Sequence, residues 1–164
     1  MDVATALSVI STLAVFGGIA FSVVQIRDAR RKQAAQAAQA FVSSLQTEQW
    51  AKDHLLVHRI AKGLAPEAWD KLEPPVQEAG FRVAAMCETT GILVHERVLS
   101  LNLVAEMLPI DDYWERLRPL ALHLRALNES PRRLEWFQWL AERVAEHHDA
   151  NHAPAYVEHK DWKP

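Results

Sequence analysis

His54 and His58, in the segment HLLVH, stand four residues apart, the spacing at which two imidazoles on one helix face can hold one metal ion. No third ligand is identifiable. The sequence has no HExxH, no cysteine pair and no Glu-x-x-His to complete a zinc or carboxylate-bridged site. The plainer reading is two half-exposed histidines flanking an apolar face built on Leu55 and Leu56. Four more histidines, His147, His148, His152 and His159, lie in the tail, where the entropy of ordering works against a defined geometry. Cys87 sits on an apolar stripe between Met86 and Glu88, surroundings that do not lower a thiol's pKa, so it reads as a core residue. A Gly-rich phosphate loop and a Gly-x-Ser-x-Gly are both missing from the sequence, and with them the usual supports of nucleotide chemistry and serine hydrolysis. Trp136 and Trp139 lie three apart around Phe137, in a chain with six tryptophans. They either cover neighbouring helices or widen the last helix toward a partner. No catalytic residue, metal ligand set, cofactor or small-molecule substrate can be named, and the expectation is a protein that is not an enzyme.

The elements that position these residues begin with a membrane segment. From Val3 to Ile26 the chain runs for 24 residues without one ionisable side chain. At about 1.5 Å per residue that is enough to cross a hydrocarbon core of about 30 Å. A cleaved secretory signal would need a basic start, and Asp2 stands there instead. Arg27, Arg30, Arg31 and Lys32 follow the span against the single acid Asp28, a local charge of +3 that belongs on the cytoplasmic side, beside anionic lipid headgroups. The expected localisation is the cell (inner) membrane, single-pass, with the amino terminus outside and the rest inside. A lone cysteine agrees with a reducing compartment. Within the span Ala14, Gly18 and Ser22 fall four apart, a small-residue stripe that would let a second membrane helix approach.

Residues 33–164 hold 14 Lys or Arg against 19 Asp or Glu, an acidic balance that argues against nucleic-acid binding. The Ala- and Gln-rich stretch after the basic cluster continues the membrane helix into the cytoplasm, with Phe41, Val42, Leu45, Leu55, Leu56 and Ile60 as its apolar face and Gly63 as its end. A short helix follows at PEAWDKLE, and Pro74 and Pro75 mark a boundary. A second helix should run from Val76 to Gly91 and a third from His95 to Leu108. A fourth is capped by Asp111 and kinked or restarted at Pro119, and a last one is capped by Ser130 with Pro131 at its first position. Strand signals are absent. The tail from His147 lacks an apolar stripe and reads as loose.

The stretches FRVAAMCETTGILVHERV and DDYWERLRPLALHLRALNESPRRLEWFQWLAERV resemble the bacterial family catalogued as domain of unknown function 4760. Glu88, Gly91, Trp114, Pro119, Pro131, Phe137 and Leu140 stand where that pattern has them. The family's Gly-Ile-Ile-Asp turn is Gly91-Ile92-Leu93-Val94-His95 here, so its capping acid is missing. The resemblance implies an amino-terminal membrane helix, a helical linker and a helical region, and brings no activity. The fold class expected is all-α: a transmembrane anchor over 1–26, a basic cluster and long helix over 27–63, a small cytoplasmic bundle over 64–146 and a flexible tail over 147–164. Its expected partners are the lipid bilayer and either a protein or a second copy of the chain, through Trp136 and Trp139. The alternative is a membrane-tethered metal enzyme or sensor using His54 and His58.

Overall fold

The computed structural model describes the backbone of residues 3–149, 157, 160, 161 and 163, and the side chains of residues 21, 22, 24–29, 31–147 and the same four tail positions. The described elements are all helical: six α-helices and one 3-10 helix, with no strand among them. The chain divides into two compact units, residues 1–40 and 41–164. Helix α1 spans Val3–Leu45. Among the described residues no helix is long and apolar enough to cross a membrane. The span expected over Val3–Ile26 lies mostly outside the described side chains, as do Ala14, Gly18 and Arg30, while Ser22, Arg27, Arg31 and Lys32 are exposed.

The helix expected to run on to Gly63 ends instead at Leu45. Hydroxyl side chains explain the break. Ser44 Oγ donates to the Phe41 carbonyl at 2.6 Å, and Thr47, extended at φ −88° and ψ 148°, accepts the Trp50 N–H at 3.1 Å. Thr47 thus caps a new helix, α2 (Glu48–Val57). Leu55, expected in the core, is 66% exposed, and α2 buries Val57 and Asp53 in its place. Asp53 receives Arg82 of the next helix through two bonds of 2.8 Å, and this guanidinium holds its carboxyl below the ordinary range against the cost of burial. The left-handed Gly63 (φ +72°) shapes the turn that follows α2.

A 3-10 helix, Pro66–Lys71, buries Trp69 and leads to Pro74 and Pro75, which open α3 (Pro74–His95). Helix α3 packs against α2, α5 and α6. It does not close at Gly91, and the turn expected at 91–95 is helical. A Cβ on Gly91 would fall 2.8 Å from the carbonyl carbon of Trp136, so this glycine lets two backbones approach rather than ending a helix. The next helix, α4 (Leu101–Met107), is shorter than expected because Arg97 takes a positive φ of 58° and Ser100 caps the restart, accepting the Leu103 N–H. Helix α5 (Ile110–Leu127) carries Pro119 inside one unbroken helix, and Asp111 lies in its first turn rather than at the cap.

The last helix, α6 (Glu135–Asp149), starts later than Ser130 and Pro131 suggested and runs past His147. Arg125 of α5 explains the delay: its Nε donates to the Arg133 carbonyl at 2.9 Å and its Nη2 to that of Leu134 at 3.4 Å, fastening residues 131–134 as turns. The core between these helices is made by Val83, Tyr113, Leu117, Leu120, Phe137 and Leu140, all with 0% exposure.

Candidate functional site

Helix α6 turns Phe137, Leu140, Ala141 and Val144 inward and leaves Trp136 and Trp139 half-buried beside that stripe. The structure brings both indoles to His95, in the last turn of α3. Ring centroids lie 4.6 Å apart for His95 and Trp136, 5.8 Å for His95 and Trp139, and 5.9 Å for the two tryptophans. Spaced so closely, the rings pack against one another and leave no cage for a bulky cation. Ile92, one turn before His95, is 40% exposed. The result is an aromatic and aliphatic face shared by the end of α3 and the start of α6.

Beneath it lies the joint that fixes α6. Leu134 precedes the helix with φ +57° and has no side chain able to cap it. Glu88, two turns before His95 on α3, accepts the Phe137 N–H at 2.7 Å and caps α6 from another element. Burial pushes the Glu88 carboxyl above its ordinary range, against the pull of the Phe137 and Trp136 amides. Gly91, one turn on, admits the Trp136 backbone. Trp114 of α5 meets Phe137 edge to face at 5.1 Å, closing the third side.

The His54 and His58 rings lie 4.3 Å apart and tilted, and the Nδ1 of each is already engaged. Tyr113, with 0% exposure, bonds through its hydroxyl to His54 Nδ1 at 2.5 Å, and His58 Nδ1 lies 2.8 Å from the His54 carbonyl. Burial, then His58, lowers the pKa of His54 against the attraction of Asp112, and burial raises that of the Tyr113 phenol. A neutral phenol and a neutral imidazole therefore share this hydrogen bond. His58 Nε2 lies 3.4 Å from Asp112, whose oxygens are held by Lys62 at 2.7 Å and Arg116 at 2.8 Å. Burial opposes ionisation of Asp112, yet hydrogen bonds from Arg116 and Lys62 outweigh it and keep its pKa low. Arg116 also donates to the His58 and Ile60 carbonyls, tying α5 to the end of α2. Among the described residues no group of three or more His, Cys, Asp or Glu is placed to hold a metal ion. The thiol of Cys87 is fully buried, and burial pushes its pKa far up, which suits a core residue.

A family profile described as "Domain of unknown function (DUF4760)" matches residues 12–144. The chain belongs to that family. No curated protein and no solved structure matches it. Glu88 and Gly91 of α3, Trp114 of α5, and Phe137 and Leu140 of α6 all fall within the matched range and lie on the three helices that pack together. Sequence reasoning missed the cap, since 49 residues separate Glu88 from Phe137. It also missed Tyr113 as the partner of His54 and Arg82 as the partner of Asp53. The one available signal was a lone acid, Asp53, beside apolar residues in a helical stretch.

Proposed function

We propose that this member of the family is a single-pass membrane protein whose acidic helical domain is a non-enzymatic interaction or oligomerisation module on the cytoplasmic face of the cell membrane. The uncharged run Val3–Ile26 and the basic residues Arg27, Arg30, Arg31 and Lys32 support the anchor and its orientation. The observation that carries the module reading is the face of Trp136, Trp139 and His95. Two indoles stay partly exposed on a helix whose inward stripe is already filled, and tryptophan is among the residue types enriched at the hot spots of protein interfaces.

The test is crosslinking of the full chain in membranes, comparing the native sequence with the double variant Trp136→Ser, Trp139→Ser. The variant should lose the crosslinked species while keeping its helical circular dichroism. An unchanged crosslinking pattern would remove this face from the reading. Stoichiometric metal in protein purified without a histidine tag would instead favour the metal enzyme or sensor built on His54 and His58.

A further inference from the structure

A cavity of about 580 Å³ opens between the turn after α2 and the middle of α5, walled by Leu64, Trp114, Pro119 and Leu122. That volume falls within the range of about 300–1,000 Å³ typical of pockets for small organic molecules. Its charges come from Lys62, Glu115 and Arg118. The Lys62 ammonium is 2.6 Å from Glu115 and 2.7 Å from Asp112, so these three groups satisfy one another. Arg118 has no hydrogen bond or ion pair among the described residues, unlike Arg116 two positions earlier, which is fully engaged. The backbone N–H of Gly63 likewise has no acceptor there. The hollow is left with one exposed guanidinium and one amide donor that have no hydrogen-bond partner among the described residues.

We propose that this cavity binds small organic monoanions with an apolar body, of the aromatic carboxylate class, with the carboxylate on Arg118 and the ring between Trp114 and Leu122. A guanidinium offers two parallel N–H groups to a carboxylate, a match that a lysine ammonium lacks. The wall is preorganised, because the edge-to-face contact of Trp114 with Phe137 fixes its indole. Glu115 sets the charge of the ligand. Its carboxylate cancels the Lys62 ammonium, so the lining keeps the single positive charge of Arg118, which a monocarboxylate neutralises and a phosphate dianion exceeds.

Saturation-transfer NMR on the full chain in zwitterionic nanodiscs tests this, with benzoate as probe and empty nanodiscs subtracted. Benzoate should receive saturation and benzylamine, its cationic counterpart, should not. Arg118→Gln should weaken benzoate binding by about ten-fold, the usual effect of losing one hydrogen bond to a charged group. Arg132→Gln, on the exposed turn before α6, should leave binding unchanged. No transfer to benzoate, equal transfer to benzylamine, or equal affinity in Arg118→Gln each overturns the assignment. The readout does not depend on what Trp136 and Trp139 bind.

Discussion

Glu88 shows how one side chain can serve a helix it does not belong to. Its carboxylate caps α6, so truncation by Glu88→Ala should cost about 1–2 kcal/mol, the usual range for losing a cap. Glu88→Gln separates the cap from the charge, because an amide oxygen can still accept the Phe137 N–H. Burial raises the folded-state pKa of Glu88, so its favourable contribution is complete below the unfolded value and is lost as pH rises through the folded one. Glu88→Gln should therefore melt above the native chain at pH 7, and the difference should shrink to nothing below about pH 4. Thermal unfolding followed by circular dichroism across that window checks the sign. A variant that loses more stability at pH 7 than at pH 4 would mean that the charged cap outweighs burial. None of this was legible in the sequence, where Glu88 stood out only through the family likeness. Local spacing carries no record of a hydrogen bond formed between helices.

At the scale of elements, close packing rather than propensity sets what each helix tolerates. Ala in place of Gly inside an exposed helix gains about 1 kcal/mol. At Gly91 the new methyl would press on the Trp136 backbone, which cannot yield without moving α6 off α3. Overpacking of this kind costs about 1–3 kcal/mol, so Gly91→Ala should destabilise despite its better propensity. Gly80 makes the matched comparison: a Cβ there lies 2.5 Å from the ring tip of Trp69, a side chain rather than a helix backbone. Gly80→Ala should cost clearly less than Gly91→Ala in urea unfolding, and the reverse order would refute the backbone clash. Most helices were legible from apolar spacing, while Pro74 and Pro75, which read as a boundary before a helix from Val76, form the first turn of α3 itself. The misjudged ends share a cause. Gly91 was read by its usual role as a terminator, and Ser130 and Pro131 by their usual role as starters. The structure overrides both with tertiary partners, the Trp136 backbone and the Arg125 guanidinium.

For the whole molecule, the proposed anchor and the proposed cytoplasmic module stand or fall on orientation. The run Val3–Ile26 is long enough to span a bilayer, but hydrophobicity alone does not say which end faces inward. Orientation rests on Arg27, Arg30, Arg31 and Lys32, since positive charges beside a span are held on the cytoplasmic side. In a bacterial host, the full chain should resist extraction by alkaline carbonate. An epitope at its carboxy terminus should survive protease added to intact spheroplasts and be cut only after lysis. Replacing the four basic residues by Gln leaves Asp28 as the nearest charge and removes the asymmetry. A fraction of the epitope should then become sensitive in intact spheroplasts, while carbonate resistance stays unchanged. Release by carbonate would refute the anchor itself. Cleavage of the native chain in intact spheroplasts would keep the anchor but place Trp136, Trp139 and the Arg118 cavity outside the cell. There Cys87, buried at 0% exposure, could still remain a thiol, so the free cysteine cannot decide orientation and the protease result does.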